Sequence, residues 1–239
     1  MAVSAENLNP HEIRVLLRGE LTPLANWMTQ WNVRRFAFHV GVILAGAGLH
    51  GAAMGWWRDP QQALYVAIKF PLIILLTVIG NALLNGMLAP LLGLNIPFRQ
   101  SFSAILMSFT VASAILGAFS PLMAFFVWNA SPFSPESIHG PTYNLIKLAN
   151  VVVIAFAGTT GNIRLFQLLV RLGGNRTVAL RVLLVWLAGN LFLGSQLSWI
   201  LRPFIGSPGL PVEFLRATAF RGNFYENVFR SVLDIWISK

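Results

Sequence analysis

The stretch "LYVAIKFPLIILLTVIGNALLNGMLAPLLGL", residues 64–94, carries one charged side chain, Lys69, in a long and otherwise mostly apolar run. About 20 such residues in a helix cross the hydrocarbon core of a bilayer. A soluble fold of 239 residues could not cover its surface with 25 charged side chains, so the excess of apolar residues must face lipid. Four further runs have the same character. The spans are placed near 36–57, 64–92, 101–128, 143–169 and 178–202. Hydrophobic residues make up 56% of the chain and charged residues 10%, against roughly 25% charged in a soluble domain. The expected fold is an all-α polytopic transmembrane helix bundle of about five spans. Residues 1–35 form an N-terminal arm, 36–202 the bundle, and 203–239 a Pro/Gly turn followed by an amphipathic helix.

The net charge of +9 is distributed along the chain in a way that argues against nucleic acid. Arginines and lysines stand mostly at the ends of apolar runs, where they set topology and meet lipid headgroups. Arg14, Arg18, Arg34, Arg35, Arg99, Arg171, Arg176 and Arg181 gather on one side, with Arg164 near them, while the opposite loops carry Arg58. Arg202, Arg216, Arg221, Arg230 and Lys239 follow the fifth span and weaken the asymmetry without reversing it. The N-terminus is therefore expected in the cytoplasm, with membrane lipids as the protein's first partners.

Both ends suit the headgroup layer. Ile13, Leu16 and Leu17 share a helical side opposite Arg14 and Arg18, with Trp27 and Trp31 nearby. Phe224, Val228, Val232 and Ile235 repeat at helical spacing beside Glu226, Arg230 and Asp234. Such helices lie in the interface with the apolar side down; a solvated arm docking on a partner is the alternative for the first.

Polar side chains at membrane depth need partners or water. Asn81 and Asn85 share a side of the second span; Asn150 and Thr159 lie in the fourth; Asn190, Gly194, Ser198 and Arg202 recur every four residues in the fifth, with Gln196 close by. These groups either hydrogen-bond helix to helix or line a wet path for a small solute or ion, with Arg202 at one mouth. Ala47, Gly51 and Gly55 form a small-residue ladder in the first span. His39 and His50 are proton-relay candidates, although interface placement and a bond to a neighbouring helix account for them more simply. Lys69 and Lys147 stand a few residues inside their spans, as side chains that snorkel to headgroups do.

Chemistry has little to work with. All eight acidic residues lie outside the apolar cores, cysteine is absent, and no catalytic motif occurs. Catalytic residues, metal ligands and cofactors are not expected. A polar pathway in an oligomer is the leading expectation, an accessory or scaffold subunit of a larger membrane complex the alternative, and a lipid-directed enzyme the third.

The block "SQLSWILRPFIGSPGLPVEFLR" followed by "GNFYENVFRSV", within residues 195–232, resembles one found in uncharacterised bacterial polytopic membrane proteins. That resemblance implies a bacterial setting, and so the cytoplasmic (inner) membrane as the location, with no particular activity.

Overall fold

The structure, a computed structural model, describes residues 15, 18, 32–133, 140–205 and 211–237. Five helices are long and apolar enough to cross a membrane: α1 (Val33–Trp56), α2 (Pro60–Leu91), α3 (Phe98–Trp128), α4 (Pro141–Gly173) and α5 (Arg176–Leu201). A shorter α6 (Phe224–Ile237) follows. The protein is an all-helical integral membrane bundle.

Every span starts two to four residues before its apolar run, because the first turns are polar, and those of α1, α2 and α5 are capped by a side chain. Asn32 accepts a hydrogen bond from the Arg34 amide, Asp59 from Gln61, and Asn175 from Thr177 and Val178. Each such cap satisfies amides that the first turn of a helix leaves free. Pro60 and Pro141 open α2 and α4 at the position where a missing N–H costs nothing. At the other end α4 stops at Gly174, whose φ of 63° is the left-handed turn that glycine adopts freely. With 32 residues α2 is about 48 Å long at 1.5 Å per residue. It outruns a hydrocarbon core of about 30 Å, so it is tilted or kinked, with Pro71 and Pro90 inside it.

α2, α3, α4 and α5 contact one another in a closed cycle, and α1 packs against α2 and α3. Lipid tails are as apolar as leucine, so close backbone approach and hydrogen bonds must drive this association. α1 supplies the approach. A Cβ on Gly51 would lie 2.6 Å from the Val66 carbonyl oxygen of α2, and one on Gly46 would overlap the Ser113 carbonyl of α3. The two glycines open two faces of the same helix, one for each neighbour.

Of the N-terminal arm, Val15 is buried within the main core cluster and Arg18 is exposed. The rest of the expected interfacial segment, including Ile13, Leu16, Leu17, Trp27 and Trp31, lies outside the described residues. At the C-terminus α6 exposes Val228, Phe229 and Leu233; the side chains of Arg230, Val232, Asp234 and Ile235 lie outside the described ones.

Candidate functional site: a buried amide seam and a lateral groove

Asn81 and Asn85 stand one turn apart on α2, where side chains i and i+4 are neighbours. The Asn85 amide donates to Asn81 Oδ1 at 2.7 Å. Asn81 Nδ2 in turn donates to the Trp186 carbonyl of α5 at 3.2 Å and to Asn190 Oδ1. Gly189 makes room for this: a Cβ there would lie 2.6 Å from Asn81 Oδ1. Asn81 and Asn85 are 0% and 1% exposed, and Asn190 is half-buried. Three amides thus form one chain across the α2–α5 interface, open at Asn190 alone.

The remaining candidates do not join it. Asn150 is buried on α4 and donates to the Ile146 carbonyl of its own helix at 2.9 Å. Thr159 is exposed on the outside of that helix. Nine residues at 100° each place it opposite Asn150, so one lining surface cannot contain both. Gln196 faces the C-terminal helix, its Oε1 accepting from the Phe224 amide at 3.1 Å. A single polar lining of six residues is therefore corrected to one three-amide seam and three separate roles.

The histidines also part company. Thr110 Oγ1 donates to the Leu106 carbonyl at 2.8 Å, so its 3.1 Å contact with His39 Nδ1 has the imidazole as donor. His50 is fully buried with its ring 5.9 Å from Phe70. Its two nitrogens and Asn150 Oδ1 make no hydrogen bond of normal geometry among the described residues, although the imidazole lies beside the Leu116 backbone of α3 and the Asn150 side chain of α4. No hydrogen-bonded chain links the two imidazoles there, as a relay between them requires.

Beyond α5 the chain turns at a cis Arg202–Pro203 bond and packs back on α2. Gln62 Nε2 donates to the Pro203 and Phe204 carbonyls at 2.8 and 3.1 Å. Tyr65 meets Phe214 edge-on at 5.6 Å. Lys69 is 0% exposed: its ammonium donates to the Glu213 carbonyl at 3.2 Å and lies 5.4 Å from the Phe214 ring. The expectation that Lys69 snorkels to a headgroup is corrected, because the Glu213 carbonyl, 144 residues downstream, and the rings of Phe214 and Tyr65 take the headgroup's place. Lys147, by contrast, is exposed near the start of α4. Arg216 completes the fastening: Nε donates to the Arg202 carbonyl and Nη2 to the Trp199 carbonyl, both at 3.2 Å. A cation on the last carbonyls of a helix also opposes the negative end of its dipole. Replacing Arg216 with alanine removes two charged hydrogen bonds, each contributing about 1.5–3 kcal/mol. Amide exchange over residues 211–220 is expected to speed up by about tenfold or more, with exchange in α1 and α3 unchanged.

α5 is the least enclosed span, 17% of its most apolar window being buried. Along it runs a lateral groove of about 540 Å³, lined by Asn190, Ser195, Ser198 and Trp199 from α5, by Arg202 just past its end, and by Phe224 and Asn227 from α6. The stripe spaced by fours in the sequence is the floor of this groove. Tyr225 secures α6 beside it, stacking on Phe192 at 5.1 Å and donating to the Phe192 carbonyl at 2.8 Å. Gln62, Thr110 and Arg216 escaped the sequence reading, since each acts on a partner distant in the chain.

No family model, curated protein or solved structure matches the chain.

Proposed function

We propose that this integral membrane protein is a non-catalytic subunit of a larger membrane assembly, joined to it through the exposed side of α5 and α6. One observation carries the reading. The amides of Asn81, Asn85 and Asn190 bind one another and a backbone carbonyl, which is what helix-to-helix adhesion asks of them. A conducting lining asks the reverse, with the same groups directed at water. The α5 groove supports the docking side, because polar groups on the least enclosed helix need cover within a bilayer.

A polar pathway is the second reading, favoured by Asn190, Ser195 and Ser198 along that groove: two copies facing each other there enclose a wet strip. Reconstitution separates the readings. Purified protein in liposomes is expected to leave ion and small-solute flux at the level of empty vesicles. A stable homo-oligomer whose flux disappears on Asn190→Leu substitution contradicts the subunit reading.

The distribution of arginines supports a cytoplasmic N-terminus, and the C-terminal block supports a bacterial inner membrane as the setting. The chain lacks cysteine, so single cysteines report topology directly. Asn129 and Asn95 are both exposed, in the α3–α4 and α2–α3 connections. In intact spheroplasts an impermeant maleimide is expected to label Asn129→Cys and to spare Asn95→Cys; the opposite pattern reverses the orientation.

A further inference from the structure

We propose that the groove between α5 and α6 binds the headgroup phosphate of an anionic phospholipid, with Arg202 and Arg221 on either side of Trp199. The inference stands apart from the subunit reading: it concerns the Arg202–Trp199 end of the groove, and a phospholipid there gives the polar groups of α5 cover whether or not a partner subunit also lies on that face. Two grooves meet here, sharing Trp199 and Asn227. The first, described above, contains Arg202; the second, of about 350 Å³, contains Arg221, Asn223 and Glu226. The Arg202 guanidinium lies 3.2 Å over the Trp199 ring. None of its five donors meets an acceptor among the described residues, and its Nε is buried. Trp199 Nε1 is likewise buried without a partner. Buried donors in folded proteins nearly always have acceptors; with Arg202 Nε and Trp199 Nε1 closed inside the groove wall, the terminal nitrogens of the Arg202 guanidinium are the donors that line the groove and can meet an acceptor that the polypeptide itself does not supply.

The charge of the surroundings says which kind. Lys69, Arg202, Arg216 and Arg221 come together around the chain that returns from α5, and among the described residues none of them pairs with a carboxylate. Glu213 contributes its backbone carbonyl to Lys69, and among the described residues Glu226 is the one carboxylate lining the grooves. An anion is favoured, and a guanidinium fork fits a phosphate better than any other planar donor. The shape points to a lipid as its source. The Arg202 groove runs down the outside of a membrane-spanning helix past Leu191 and Phe224, and Leu191 and Phe192 are exposed beside it. Acyl chains can follow this course while the phosphate stays at the helix end, with Trp199 at the level where indole rings sit in a bilayer.

The test uses the full chain purified in non-ionic detergent and native mass spectrometry. Phosphatidylglycerol, phosphatidylcholine and inorganic phosphate are the probes. One phosphatidylglycerol per chain is expected to be retained about tenfold more tightly than phosphatidylcholine. Arg202→Gln and Arg221→Gln are each expected to weaken that retention by about tenfold, while Arg181→Gln at the far end of α5 leaves it unchanged. Arg221 is exposed, so its variant keeps the test valid even if Arg202→Gln disturbs folding. Equal retention of the two lipids overturns the proposal. So does full retention by both groove variants, or an equal loss in Arg181→Gln. Displacement of phosphatidylglycerol by millimolar inorganic phosphate reassigns the site to a free ion and overturns the lipid assignment.

Discussion

Leucine in place of Gly51 is expected to abolish the recovery of monodisperse protein in detergent. The Cβ alone would lie 2.6 Å from the Val66 carbonyl oxygen and 3.0 Å from its carbon. Both belong to the backbone of α2 and cannot rotate aside as a side chain can. Overpacking in a protein interior costs typically about 1–3 kcal/mol when side chains can shift; here two helices must separate instead. The separation also withdraws Gly55, where a Cβ would meet Gln62 at 2.8 Å, and so weakens the shelf on which the returning chain rests. Size-exclusion profile and thermal midpoint read the outcome together. By comparison, a methyl group on Gly158, which has open space around it, is expected to leave both unchanged.

The second large effect lies at the amide seam. Asn81→Ala removes the central member of the chain, leaving the Asn85 amide, the Asn190 carbonyl and the Trp186 carbonyl without it. An unsatisfied buried polar group costs about 1–3 kcal/mol, and hydrogen bonds between membrane helices measure about 0.6–1.7 kcal/mol. A destabilisation of about 1–2 kcal/mol is expected in reversible unfolding from mixed micelles. Asn190→Ala alone should cost less, because Asn190 is half-buried. The double variant should be less destabilised than the sum of the two singles, by about 0.5–1 kcal/mol, since each removes the same bond. Strict additivity would mean that the two side chains do not act on each other.

How far the sequence could be read differs between these two places. The ladder Ala47, Gly51 and Gly55 was legible because helical spacing alone puts small residues on one face, and α1 does pack there on α2. Asn81 and Asn85 were legible as a pair for the same reason. Their partner was not: Asn190 is 109 residues away, and which helix lies against α2 depends on packing that no local pattern records. The grouping of Asn150 with Thr159 failed on periodicity itself, for nine residues turn a helix to its other side. Lys69 was misplaced because snorkelling assumes lipid around it, whereas Glu213 and Phe214 return from beyond the fifth span to enclose it. The span starts came out late for a simpler reason. Apolar runs mark the hydrocarbon, and the capped first turns of α1, α2 and α5 stand outside it.

The central claim is that the amides on α2 are turned toward protein and are dry. Cysteine placed singly at position 81, position 85 or exposed Asn223 provides the measurement, in liposomes treated with a small charged methanethiosulfonate reagent. Cysteine at 223 should react within the time of mixing, and cysteines at 81 and 85 should remain unmodified until the protein is denatured. Rapid modification at 81 and 85 in the folded protein would place those positions in water and contradict the account.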